Sequence, residues 1–78
     1  MARVRLFGPA REAAGTAVDE LPGDAVGELL DAACSRYGPR FTLVLERSAV
    51  WVNGEPAGRD APVCAGDEVA VLPPVSGG

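Results

Sequence analysis

The sequence predicts an α+β domain in which a mixed β-sheet packs across one main helix. Three observations carry this prediction: strand-like alternation near both ends of the chain, one amphipathic helical stripe between them, and turn residues that separate the elements. Because the helix and the strands each have one apolar face, they bury those faces most simply against one another. The length of 78 residues is that of one small domain with one core.

The first strand is predicted at residues 3–7, where apolar and polar residues alternate. Val4 and Leu6 should face inward, and Phe7 should face the other way with the arginines on either side of Val4. Gly8-Pro9 is expected to break the strand, and residues 11–15 are expected to form a loop. Residues 17–21 read as a weaker strand that returns antiparallel to the first.

The main helix is the clearest element, because its apolar residues recur at intervals of three and four. Asp24 is the expected N-cap, and Gly38-Pro39 is expected to end the helix. Residues 41–45 are interpreted as a short helical turn that carries Phe41 into the core. The residues of the apolar stripe are Val26, Leu29, Leu30, Ala33, Cys34 and Tyr37.

The second half of the chain predicts three further strands. Residues 49–52 are β-rich and end at Asn53-Gly54, a strong hairpin signal, and residues 55–57 form a brief return. Residues 68–72 alternate so that Val69 and Val71 face the core while Leu72 faces outward. The order of elements favours a β-grasp (ubiquitin-like) fold with the first and last strands parallel.

Composition and missing residue types exclude several functions. The formal charge is −4, all seven basic residues are arginines, and no basic stripe typical of nucleic-acid binding is present. Without histidine the chain cannot form a Ser-His or Cys-His dyad or a histidine-ligated metal site. No apolar run is long enough to cross a membrane, and Met1 leads directly into strand alternation. We therefore expect a cytoplasmic protein with no membrane or nucleic-acid partner, no bound metal or cofactor, and free thiols at Cys34 and Cys64.

One set of exposed residues on the predicted sheet is a candidate for function, and a set of paired carboxylates is not. By strand parity, Phe7, Trp51 and Leu72 point away from the helix and would form an apolar patch. The adjacent carboxylates Asp19-Glu20 and Asp67-Glu68 point to opposite faces of their strands, so they cannot readily share a substrate and are expected to be solvated charges.

The C-terminal segment is the leading candidate for the reactive group. Two prolines follow the last strand, so a domain over residues 1–73 should be followed by a flexible tail over residues 74–78. Pro74, Val75, Ser76 and Gly77 would enter a cleft of a partner enzyme, which would act on the carboxylate of Gly78. Glycines without Cβ atoms allow close approach to that carboxylate.

Five segments taken together resemble the MoaD/ThiS-like sulfur carriers, and most closely the small subunit of molybdopterin synthase. They are Leu6-Phe7-Gly8, residues 11–15 (Arg-Glu-Ala-Ala-Gly), residues 52–55 (Val-Asn-Gly-Glu), residues 66–70 (Gly-Asp-Glu-Val-Ala) and residues 72–78 (Leu-Pro-Pro-Val-Ser-Gly-Gly). The resemblance covers essentially the whole chain and implies the same β-grasp fold.

The resemblance also implies a function. A partner enzyme would use ATP to adenylate Gly78 and convert it into a thiocarboxylate, whose sulfur would go to a cyclic pterin precursor in molybdenum cofactor biosynthesis. The chain would be a carrier and not an enzyme, because the catalytic side chains would belong to the large synthase subunit. Phe7 and Leu72 match apolar partner-binding positions of the family. Arg11 matches a recurrent arginine that either contacts a partner or holds its own loop.

Two alternatives remain open. The same tail chemistry would serve a carrier for another pathway, such as cysteine, thiamine or a specialised thio-metabolite. A plain interaction module would use the apolar patch and leave Gly78 unreactive. Deletion of Gly78 separates the last alternative from the other two.

Overall fold

The computed structural model describes residues 1–73. Eight elements follow one another along the chain: β1 (Ala2–Leu6), α1 (Gly8–Ala14), β2 (Val18–Leu21), α2 (Val26–Tyr37), α3 (Pro39–Glu46), β3 (Ala49–Val52), β4 (Glu55–Pro56) and β5 (Glu68–Leu72). The five strands form one mixed sheet in the order β2-β1-β5-β3-β4. The β-grasp prediction is therefore confirmed in its mixed sheet and in the order of its strands around α2.

The two alternating strands lie side by side at the centre of the sheet. β1 and β5 are parallel, with Val4 opposite Val69 and Leu6 opposite Val71. All four side chains are at most 1% exposed, as the period-two pattern predicts. The crossover between these parallel strands contains α2, which is how the chain brings its two ends together.

The helices cover one face of the sheet and close the core. Phe41 on α3 is completely buried, so the predicted helical turn is confirmed and extends to the eight residues of α3. Its ring packs edge-on against Tyr37 of α2, with ring centroids 5.1 Å apart. The other core residues are Ala2, Val4, Leu6, Ala10, Leu21, Val26, Leu29, Leu30, Ala33, Val63, Val69 and Val71.

The predicted loop at residues 11–15 is wrong, because the chain forms α1 there. Pro9 was interpreted as a breaker, but it occupies the first turn of the helix, where its missing N–H costs nothing and its fixed φ is already helical. The alanines that follow favour the helix, and Gly15 ends it in the left-handed conformation at φ 79°.

The predicted N-cap of α2 is also wrong. The N-cap residue is Ala25, and no side chain caps the helix. The first backbone N–H groups of α2 instead donate to backbone carbonyls of a distant loop: Val26 to Ala61 at 2.9 Å and Gly27 to Arg59 at 2.8 Å. This contact satisfies donors that would otherwise be unpaired, and a local sequence pattern cannot show it.

The hairpin predicted at Asn53-Gly54 is confirmed. Asn53 has φ 50° and Gly54 has φ 85°, the pair of positive values that a two-residue type I′ turn requires. The turn joins β3 to β4, which pairs at only two positions and forms one edge of the sheet. In residues 1–73, no helix is long and apolar enough to cross a membrane.

Candidate functional site

The last strand ends beside the start of α1, and this junction fixes where the C-terminal segment leaves the domain. The backbone N–H of Phe7 donates to the carbonyl of Val71 at 3.1 Å, which extends the pairing of β1 and β5 by one step. Gly8 follows with φ 53°, and a Cβ built on it would lie 3.5 Å from Cγ of Pro73. The Pro73 ring therefore packs over a residue without a side chain, and we call Phe7, Gly8, Leu72 and Pro73 the exit site.

The outer face of the sheet carries the predicted apolar residues. Leu72 lies opposite Ala49, and Trp51 lies opposite Ala70, so all four side chains share the face that points away from the helices. Phe7 still has an extended backbone, with φ −124° and ψ 153°, so its side chain lies on the opposite side from Leu6. Phe7 is 41% exposed, whereas Trp51 and Leu72 are half-buried.

Two further residues of this face were not singled out from the sequence. Arg5 lies opposite Ala70 on one side and Val18 on the other. Val18 is 42% exposed. The same strand parity that selected Trp51 could have found both residues, once β1 and β5 were placed as neighbours. The outer face is thus apolar near the exit site and carries two arginines of β1, Arg3 and Arg5, further from it. Arg5 lies 3.8 Å from Glu68 of β5.

Arg11 lies on α1, two residues after Pro9, and its side chain is exposed. The structure describes no ion pair and no side-chain hydrogen bond for it within residues 1–73. Its backbone carbonyl accepts the N–H of Gly15 at 2.9 Å, which is an ordinary helix-ending contact. Arg11 therefore lies next to the exit site on the neighbouring helix.

One of the carboxylates expected to be solvated instead connects the sheet to α2. Asp19 accepts hydrogen bonds from the Tyr37 hydroxyl and from Arg36, the latter at 2.8 Å. These bonds hold the pKa of Asp19 below its usual value of 3.8. Burial, followed by the neighbouring carboxylate, raises the pKa of Tyr37 to about 12. The expectation for Asp19 is wrong because its partners are 17 and 18 residues away in the sequence.

Asp67 also has partners, and they are part of the turn that leads into β5. Its carboxylate accepts the backbone N–H of Cys64 at 2.8 Å and the side-chain amide of Asn53 at 3.1 Å. The bonds from Cys64 and then Asn53 lower the pKa of Asp67. Cys64 itself is exposed, and Cys34 is half-buried against the core as predicted.

The predicted reactive segment, Pro74, Val75, Ser76, Gly77 and Gly78, lies outside the described residues. Within residues 1–73, no group of three or more Cys, Asp or Glu side chains is arranged to hold a metal ion. The exit site and the outer face next to it are therefore the parts of the candidate site that the structure describes.

Comparison with known families gives a match to the ThiS family over residues 4–78. The chain belongs to the ThiS family. The identification as a MoaD/ThiS-like sulfur carrier, made from five short segments, is confirmed. A search of functionally curated proteins gave no match.

Solved structures agree with this assignment over the full length. Small archaeal modifier protein 1 from Methanosarcina acetivorans is 29% identical, with a TM-score of 0.88, covering 99% of this chain and 95% of that one. A putative molybdopterin converting factor subunit 1 from Pyrococcus furiosus is 27% identical, with a TM-score of 0.81, covering 95% and 97%. A chain of the BexX/CysO complex of Amycolatopsis orientalis is 27% identical, with a TM-score of 0.82 and complete coverage of both chains.

Proposed function

We propose that this chain carries sulfur as a thiocarboxylate on Gly78 and delivers it to a cyclic pterin precursor in molybdopterin biosynthesis. The observation that carries the proposal is the ordered set of five segments, which ends in Gly77-Gly78 and lies entirely within the matched range 4–78. The chain supplies the sulfur and its position, whereas the catalytic side chains belong to its partners.

The chemistry requires activation from outside, because a carboxylate is a poor electrophile. A carboxylate oxygen of Gly78 attacks the α-phosphorus of ATP on an activating enzyme, and pyrophosphate leaves. A persulfide sulfur of the sulfur source then attacks the acyl carbon, and AMP leaves. Reduction of the resulting S–S bond by a thiol releases the thiocarboxylate. ATP is therefore used by the partner and is not a cofactor of this chain.

The described residues support this proposal through the exit site. Pro73 has no N–H to continue strand pairing, so β5 ends at Leu72. The described chain therefore ends directly after a central strand of the sheet. Phe7, Trp51 and Leu72 lie around this point and form the proposed docking surface for the activating enzyme and for the large synthase subunit, with Arg11 on the adjoining helix.

The test is the intact mass of the chain after incubation with the activating enzyme, ATP and a sulfur source. We expect one oxygen to be replaced by sulfur, and we expect the Gly78 deletion to abolish the gain while the fold is kept. The matched control is the double variant Cys34→Ser/Cys64→Ser, which removes both thiols and should still take up sulfur. Sulfur uptake that persists without Gly78, or that disappears with the thiols, would contradict the proposal.

The pathway needs its own test, because the acceptor of the sulfur is chosen by the partners. The likeness to a putative molybdopterin converting factor subunit supports the pterin pathway. The equal identity of 27% to a chain of the BexX/CysO complex supports a second candidate, a carrier for another thio-compound. Rescue of molybdenum cofactor synthesis in a strain without its own small subunit is the expected result. Rescue of another pathway alone would assign the chain to the second candidate.

A further inference from the structure

Helix α3 carries two residues that are unfavourable where they stand. Leu43 is 65% exposed, the largest exposed fraction of any large apolar residue in residues 1–73 after Met1. Arg40 lies in the first turn of the helix, which contains no acidic residue, so its charge opposes the positive end of the helix dipole. Neither placement helps α3 to fold. Residues that break local rules without a structural gain are typical of functional surfaces.

Three residues of α3 and its C-cap residue, Arg47, form one stripe on the surface of the helix. Arg40, Leu43, Val44 and Arg47 follow the spacing i, i+3, i+4 and i+7, which places them on one side of the helix. Leu43, Val44 and Arg47 line a depression of about 370 Å³ together with Glu46. We call these four residues the α3 stripe. It belongs to the helical layer, whereas the outer face lies on the opposite side of the sheet.

The charge of the α3 stripe is opposite to that of the whole chain. Its two arginines contribute two positive charges in a chain of net charge −4. Ion pairs within residues 1–73 join Arg5 to Glu68, Arg36 to Asp19 and Arg59 to Asp31, and they include neither Arg40 nor Arg47. Arg47 lies at the C-terminal end of the helix, where its positive charge complements the helix dipole. Only Arg40 and Leu43 therefore occupy positions that the stability of the helix does not explain.

We propose that the α3 stripe is a docking site for an acidic helical segment of a partner protein. Arg40 and Arg47 are seven residues apart, about 10 Å along the helix. A partner helix with two carboxylates at the same spacing and an apolar residue between them would pair with both arginines and cover Leu43. This surface is separate from the exit site, so a partner bound there would leave residues 74–78 free for a second enzyme.

An anionic membrane is the competing occupant, and magnitudes argue against it. Each arginine near an anionic bilayer raises the affinity only about fivefold, so two of them bind weakly. The net charge of −4 on the whole chain opposes the approach to such a surface. One exposed leucine adds little insertion energy. An acidic peptide helix is the better occupant, because it would cover Leu43 and pair with both arginines at once.

The experiment is an amide chemical-shift titration of the full chain with a blocked helical peptide of Ala, Leu and Glu. The peptide carries two Glu seven residues apart and one Leu between them, and the control peptide has Lys in place of Glu. We expect shifts confined to α3 with the Glu peptide alone. Arg40→Ala/Arg47→Ala should weaken binding about tenfold, since two exposed ion pairs are lost. Leu43→Ser should weaken it as well, and Arg3→Ala, an exposed arginine on the outer face, should not.

Equal binding of the Lys peptide would overturn the proposal, as would shifts centred on the outer face or unchanged affinity of the double variant. Sedimentation with phosphatidylserine/phosphatidylcholine vesicles tests the competing occupant, and binding to these vesicles that Arg40→Ala/Arg47→Ala abolishes would also overturn it. Thermal unfolding of each variant controls for folding. The result does not depend on sulfur at Gly78, so failure of the sulfur-carrier proposal and failure of this one can be told apart.

Discussion

Adjacent residues on β5 should separate docking from folding. Val71 is completely buried on the inner face, and Leu72 is half-buried on the outer face next to Phe7. Val71→Ala removes two buried methyl groups, worth about 1.6 kcal/mol of transfer free energy at about 0.8 each. The cavity left behind brings the loss of unfolding free energy to about 2–3 kcal/mol. Leu72→Ala should cost about 1 kcal/mol, because part of that side chain is in water already.

These losses are measurable in a domain of this size. At 0.05–0.15 kcal/mol per residue, 78 residues give a total stability of roughly 4–12 kcal/mol. Val71→Ala should therefore lower Tm by about 10–20 °C, and Leu72→Ala by about 4–8 °C. Thermal unfolding followed by circular dichroism gives both values. Both variants should remain folded at low temperature.

Docking should depend on Leu72 more than on Val71, the reverse of their order for stability. Leu72→Glu places a charge in the apolar part of the outer face, so it should raise the apparent KM for the activating enzyme in sulfur loading about 30-fold, the effect of a 2 kcal/mol hot spot. Val71→Ala, assayed below its Tm, should leave that KM unchanged. If Leu72→Glu unfolds the domain, or if Val71→Ala raises KM as much as Leu72→Glu, then the assignment of these two side chains to folding and docking is wrong.

Two further predictions concern stability. Gly23 has φ 146°, and a Cβ there would lie 2.8 Å from a backbone nitrogen of α2. Gly23→Ala should therefore lower the urea midpoint by the equivalent of about 2 kcal/mol or more. Gly58→Ala, with open space around it, should not lower the midpoint, and equal midpoints for the two variants would contradict the strain argument. The bonds from Tyr37 and Arg36 lower the pKa of Asp19 in the folded state, so the carboxylate stabilises the fold above pH 3.8 and this contribution is lost as the pH falls further. The stability difference between the native chain and Asp19→Asn should therefore shrink below about pH 4, and a constant difference from pH 7 to pH 3 would argue against it.

The parts of the fold that depend on neighbouring residues could be predicted from the sequence. Alternation alone predicted that Val4 and Leu6 lie on the inner face of β1, because the side-chain period of a strand is a local property. Asn53-Gly54 predicted the β3–β4 turn, because few other residue pairs accept two positive φ values. Leu72 was placed on the outer face by the same alternation, once β5 was recognised.

The predictions that were wrong concern features set by the tertiary fold, which a local sequence pattern does not contain. Gly8-Pro9 ends β1 and also begins α1, and the rule that proline breaks structure does not distinguish an end from a start. The backbone of Arg59 caps α2 from more than thirty residues away, and Tyr37 reaches Asp19 from another element. Contacts of this kind follow from the tertiary fold, so single-sequence rules predict the elements better than their termini.

The position of β5 explains why this fold suits a chain whose reactive group is proposed to lie beyond its last strand. β5 pairs with β1 on one side and with β3 on the other, so it is a central strand and not an edge. Leu72 pairs with Ala49 of β3, and Val71 before it pairs with Leu6 of β1 and Val50 of β3, so fraying that reached Val71 would break pairing with both neighbouring strands. Phe7 and Gly8 fix the position of the end of β5. The backbone N–H of Phe7 donates to the carbonyl of Val71, and Gly8, which has no side chain, leaves room for the Pro73 ring. A partner that binds the outer face is therefore held at a fixed distance from Pro73, and the chain beyond this residue starts from a defined point relative to that partner.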